Sequence, residues 1–160
     1  CALQIARQYR DLVMAVNGQV HGWRSFTRGL RLAYERTGDT SFRTAAIALS
    51  KGATYATIGG WIDESAMRET AYVVNGYVEA ERLGEPRHPL LARAVDHLLI
   101  HFDRVFVQSN YTVHQMFMDG MAAEALINYY DLTKDPRVPP TIKLMLDWIW
   151  NNAWNQTTKQ

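Results

Sequence analysis

The sequence predicts an all-α fold made of helical hairpins. Apolar residues recur at spacings of three and four along most of the chain, no long stretch alternates with period two, and one turn motif returns three times. The motif is Leu32-Ala33-Tyr34-Glu35-Arg36-Thr37-Gly38-Asp39, then Val78-Glu79-Ala80-Glu81-Arg82-Leu83-Gly84-Glu85, then Asn128-Tyr129-Tyr130-Asp131-Leu132-Thr133-Lys134-Asp135. Thr37, Leu83 and Thr133 align at offsets of 46 and 50 residues, the length of two helices of four to five turns with their connections. The unit is a helical hairpin, and the chain holds three of them behind one leading helix.

The leading helix runs from Ala2 to Val16, with Leu3, Ala6, Tyr9, Val13 and Val16 on one face and Asn17-Gly18 as its stop. The first helices of the hairpins are expected at about Trp23–Arg36, Ser65–Leu83 and Val113–Leu132, and the second helices at about Ser41–Lys51, Pro89–Phe106 and Pro140–Trp154. Between them, Gly38 and Gly84 can take the left-handed conformation that ends a helix, and Asp39, Glu85 and Asp135 set an acid near the positive end of the next one. All five prolines, Pro86, Pro89, Pro136, Pro139 and Pro140, fall in these turns or in first helical residues, where a missing N–H costs little. Residues 70–77 and 120–127 carry small or apolar side chains on several faces, so the first helices are expected to be buried from more than one side. The second helices are more amphipathic, with Leu90, Leu91, Ala94, Leu98 and Ile100 against Arg93, Asp96 and His97, and are expected to form an outer row.

With 160 residues, 48% of them hydrophobic, residues 1–160 fit a single domain with its own core. The 17 basic and 16 acidic residues leave a net charge of +1, and the arginines are scattered, which argues against nucleic acid or an anionic membrane surface as the main partner. The single cysteine, Cys1, excludes an internal disulfide, and no Cys/His set has zinc-ligand spacing, so neither a metal nor another cofactor is expected. No apolar run approaches the roughly 18–20 residues of a membrane span. Opening on Cys1 without a signal-like segment, the chain is expected to be a piece of a longer one rather than a processed or lipid-anchored form.

Hairpins of this length, closed by Thr-Gly-Asp or Leu-Gly-Glu turns, resemble the (α/α) toroid of six-hairpin glycosidases and related lyases and epimerases. Phe26-Thr27-Arg28-Gly29-Leu30, Asp135-Pro136-Arg137-Val138-Pro139-Pro140 and Asp147-Trp148-Ile149-Trp150 are similar to stretches in uncharacterised bacterial proteins of that type. The resemblance spans nearly the whole chain and its motifs are structural. It implies about half of a toroid, a substrate funnel at one end of the inner helices, an oligo- or polysaccharide as partner, and a secreted or periplasmic setting. The missing hairpins would come from the same chain or from a second copy.

The rim before the first helices has the composition such a funnel needs. His21, Trp23, Arg24 and Arg28 come from the first hairpin, Trp61, Asp63, Glu64, Arg68 and Glu69 from the second, and Asn110, Tyr111, His114, Gln115 and Asp119 from the third. Trp23, Glu69 and Asp119 each lie fourteen residues before their aligned turn residue. Two carboxylates beside an aromatic platform suit glycoside hydrolysis, so Glu69 and Asp119 are the candidate catalytic pair. His21, Trp23, Arg24, Trp61, Arg68, Tyr111, His114 and Gln115 are the candidate substrate contacts. Arg24, Arg68 and His114 equally suit binding of a uronate carboxylate, as in a polysaccharide lyase.

The same residues have plainer readings. Glu69 can answer its helix dipole, Asp119 can be a buried hydrogen-bonded acid among methionines, and His88, His97 and His101 read as capping or surface histidines. Trp148, Trp150 and Trp154 cannot share one helix face. Asn110-Tyr111-Thr112 and Asn155-Gln156-Thr157 match the glycosylation pattern without deciding a compartment. The expected function is therefore a carbohydrate-active module, hydrolase or lyase. Its rival is a non-catalytic helical-repeat scaffold for a protein or glycan, and a terpene-cyclase-like toroid is weaker because no Asp-rich metal motif is present.

Overall fold

The repeated turn forms as its residues require. In the computed structural model, which describes residues 2–54, 67–110, 115–153 and 157, Gly38 and Gly84 sit at φ 71° and 92°. Lys134 takes the same left-handed place, φ 58°, in the third turn. In the first and third turns the threonine hydroxyl donates back one helical turn, Thr37 to the Ala33 carbonyl at 2.7 Å and Thr133 to that of Tyr129 at 2.9 Å. Each hydroxyl then accepts the N–H of the following acid, from Asp39 at 3.2 Å and from Asp135 at 3.3 Å. The carboxylates in turn accept the Ser41 and Arg137 N–H groups at 2.9 and 3.0 Å. Bonds from Ser41 hold the Asp39 carboxyl below its ordinary range, and bonds from Arg137 do the same for Asp135. The middle turn has Leu83 in place of threonine and closes instead through backbone, the Glu85 N–H reaching the Ala80 carbonyl at 3.1 Å.

Among the described residues there are seven α-helices and no strand, and the three turns join six of the helices in pairs. The seven are α1 (Ala2–Ala15), α2 (Thr27–Thr37), α3 (Thr40–Gly52), α4 (Met67–Arg82), α5 (Leu91–Phe106), α6 (Met116–Thr133) and α7 (Val138–Trp148). None of the described helices is long and apolar enough to cross a membrane.

The helices form two rows. In the inner row α4 packs between α2 and α6, and no residue of α4 is fully exposed. Its buried small residues, Ala71, Gly76 and Ala80 among them, let neighbours approach from several sides. Behind it, α3, α5 and α7 pack against their hairpin partners, with α1 lying against α3 and α2. In α5 the buried positions are Leu91, Ala94, Val95, Leu98, Phe102, Val105 and Phe106, one stripe at helical spacing. Ile100 faces out, because two residues from Leu98 is more than half a helical turn away.

Two apolar clusters fill the space between the rows. One joins α1 to α3 around Val13, Leu30, Phe42 and Leu49; the other joins α4 to α7 around Val74, Leu98, Phe102 and Leu126. The ends of α1 and α3 touch backbone to backbone at Gly18 and Gly52.

The start of α2 and the bounds of α7 differ most from the sequence expectation. The stretch expected to begin a helix at Trp23 is a short 3-10 turn, Gly22–Arg24, and α2 starts only at Thr27. The reason is Tyr9 of α1, whose hydroxyl donates to the Arg24 carbonyl and accepts the Phe26 N–H at 3.1 Å, taking groups a helix would pair internally. At the other end α7 begins at Val138, and after Trp148 the chain continues as one π turn, Ile149–Ala153. Trp148 packs on Phe106 at 5.5 Å while Trp150 stands exposed, as the spacing of the tryptophans requires; Trp154 lies outside the described residues.

Candidate functional site

The rim at the starts of α2, α4 and α6 gathers its residues in three different ways. Before α2, the 3-10 turn packs against α4 and holds His21, Trp23 and Arg24 at the surface. Trp23 is 42% exposed, the Arg24 guanidinium lies over its ring at 4.5 Å, and the His21 ring is 5.9 Å away. The result is an amphipathic platform with one apolar face flanked by cationic and hydrogen-bonding groups.

In the first turn of α4, Glu69 is 7% exposed and accepts from Arg68, whose Nε lies 3.0 Å from Oε1. In the first turn of α6, Asp119 is 2% exposed and meets the Nε2 of His101, on α5, at 3.2 Å. Each carboxylate thus engages a cationic or ionisable partner of its own, on α4 in one case and across the α5–α6 interface in the other. Gln115 is the exposed residue preceding α6, its carbonyl accepting the Met118 N–H at 2.8 Å. Trp61, Tyr111 and His114, with Asp63 and Glu64, lie outside the described residues.

The fourteen-residue register therefore places unlike things in register. Trp23 stands in a surface turn before its helix, whereas Glu69 and Asp119 are buried inside theirs.

His101 was expected at a surface and is instead largely buried against Asp119, with its other ring nitrogen, Nδ1, enclosed and without a hydrogen-bond partner among the described residues. His88 stacks on Tyr77 at 3.7 Å and accepts the Leu90 N–H at 3.2 Å, the capping role expected of a turn histidine. Burial lowers the pKa of His88.

The inner row carries polar links that the rim reading did not anticipate. Arg31 of α2 donates to the fully buried Glu79 of α4 and to Glu35 of its own helix. Burial alone would lower the Arg31 pKa, but these two carboxylates leave it raised. Asn128 of α6 donates to Asn75 at 2.8 Å, and Arg82 donates to the Asn128 carbonyl at 3.0 Å. Arg28 of α2 meets Glu124 of α6 at 2.9 Å, an exposed side-chain link between the two helices that flank α4. The only sequence signal for these pairs is the repeat itself: Arg31 and Glu79 are 48 residues apart, close to one period.

Compared with protein-family models, curated proteins and solved structures, the chain matches none. Among the described residues no three His, Cys, Asp or Glu side chains are grouped as metal ligands would be. The segment before α2 offers an exposed indole with polar neighbours, and the first turns of α4 and α6 each hold a buried carboxylate.

Proposed function

We propose that this chain is a helical-repeat binding module, an arc of an α/α toroid, that takes an oligosaccharide on the rim before α2 without cleaving it. The observation that carries the reading is Trp23, an exposed indole held at the rim by a 3-10 turn and bordered by Arg24 and His21. Sugar rings stack apolar C–H faces on indoles while their hydroxyls need donors and acceptors at the edge, and this platform supplies both. The hydrolytic step has weaker support. Glycoside hydrolysis needs one carboxylic acid and one carboxylate at the same bond, and Glu69 and Asp119 are buried against Arg68 and His101.

A second reading keeps the catalytic role. It is favoured by the burial of two acids at matching positions of neighbouring hairpins, since buried acids are what active sites tune.

The test of binding is an oligosaccharide array probed with the wild-type chain and with Trp23→Ala. Retention of at least one glycan class by the wild type, weakened about tenfold or more in Trp23→Ala, is expected, in line with roughly 1.4 kcal/mol for a lost stacking platform. Equal retention by both proteins, or none by either, removes the rim reading.

A further inference from the structure

We infer that a small polar cavity between α2, α3 and α4 is the binding site of one buried water molecule. The cavity has about 10 Å³ of free space, close to the volume of a single water-sized sphere and too little for a larger ligand. Three hydroxyls line it, those of Ser25 and Thr27 from the segment that opens α2 and that of Ser50 from the last turn of α3. Thr27 is 2% exposed, and neither its Oγ1 nor the Ser25 Oγ, both enclosed, has a hydrogen-bond partner among the described residues.

The chemistry of the wall selects the occupant. A buried hydroxyl without a partner costs stability, so Ser25 and Thr27 need a group that can accept their protons. The Ser50 hydroxyl commits its own proton to the Ile47 carbonyl at 2.8 Å and is left as an acceptor. Water can accept from Ser25 and Thr27 while donating to Ser50, which gives it the two to four bonds a buried water makes. Thr37, Thr44, Thr133 and Thr141 instead donate to the carbonyl four residues back. For Thr27 that position is Trp23, in the 3-10 turn and outside α2.

Gly76 faces the same space from α4. A Cβ added there would lie 3.9 Å from Thr27 Oγ1 and 3.9 Å from Ser50 Cα, an ordinary van der Waals distance, so packing alone would accept alanine. Glycine inside a helix costs stability relative to alanine, and here the missing methyl leaves room for the water. The water then ties the segment that carries the rim indole to α3, over Gly76 of α4, because Ser25 lies two residues beyond Trp23. This inference is independent of the glycan reading, since it concerns what holds the segment and not what the indole binds.

The test is oxygen-17 magnetic relaxation dispersion of the water signal, which counts waters held longer than the protein takes to tumble, run beside thermal unfolding of the same full-length proteins. The wild type is expected to hold one such water more than Gly76→Ala, whose methyl takes its space. It should also hold one more than the double variant Ser25→Ala with Thr27→Val, which removes two of the three partners. Thr27→Val alone, nearly the same shape, is expected to lower Tm by about 2–4 °C, the size of one lost hydrogen bond in a chain of this length. With the hydroxyls unpaired, the same substitution would raise Tm, because an unsatisfied buried group would be gone. Equal relaxation from the wild type and both folded variants, or a rise in Tm for Thr27→Val, overturns the inference.

Discussion

Replacing Arg31 with methionine is expected to lower the unfolding free energy by about 3–5 kcal/mol, the cost of breaking a buried ion pair from one side. Glu79 is fully buried, and only one of its carboxylate oxygens has a hydrogen-bond partner among the described residues, that partner being Arg31. Without the guanidinium, a carboxylate stays in a desolvated place with nothing to balance it. The pair also joins α2 to α4 between the two apolar clusters, so its loss acts where the hairpins are held together. The double variant Arg31→Met with Glu79→Met should recover most of the loss, since replacing both charges by apolar groups of similar volume is often neutral or stabilising. Urea unfolding of the wild type, both single variants and the double variant completes the cycle. A cost below about 1 kcal/mol for Arg31→Met would place the pair in solvent rather than in the core.

The second large effect is expected at Gly18. Its φ of +77° disfavours any side chain, and a Cβ there would stand 2.1 Å from the Ala48 carbonyl oxygen of α3. Because the obstruction is backbone, relief requires the end of α1 to move off α3. Strained φ costs about 1–3 kcal/mol and an overfilled contact about 1–3 kcal/mol more. Gly18→Ala is therefore expected to destabilise the fold by roughly 3 kcal/mol or more on those two grounds. Gly29→Ala is the matched control. It lies inside α2 with open space around the added methyl, so it should stabilise by about 0.5–1 kcal/mol through helix propensity. Thermal unfolding of the two variants should shift in opposite directions, and a shift of the same sign would show that the α1–α3 contact is not tight.

Helix positions were legible because the turns are chemically punctuated. Glycine ends the first helix in two of the turns, Asp39 caps α3 and Asp135 holds the N–H just before α7, and proline marks where a donor can be missing, so most boundaries in the sequence stand within about three residues of those in the structure; Glu85, expected beside the start of α5, pairs instead with Lys51 of α3. The start of α2 was not legible, since it is set by Tyr9, fifteen residues before Arg24 in the chain and on another helix. Local propensity has no access to such a hydrogen bond. The two rows were legible for a similar reason to the turns. A helix with small residues on several faces, such as α4, can only be stable when surrounded, whereas the single stripe of α5 needs cover on one side.

The candidate site was legible in composition but not in roles. Reading a fourteen-residue register located Trp23, Glu69 and Asp119 near the starts of three successive inner-row segments. It did not show that a surface turn would carry the first and that the helices would enclose the other two. Nor did it show His101 against Asp119, a pair eighteen residues apart and on different helices.

The most direct test of the binding account is the fate of the glycan that the chain retains. After prolonged incubation with the wild-type protein, mass analysis of that oligosaccharide should find it at its original length, and Glu69→Gln and Asp119→Asn should retain it as well as the wild type does. Shortened or unsaturated products that disappear in either variant would contradict the account, and would make the two buried acids an active site.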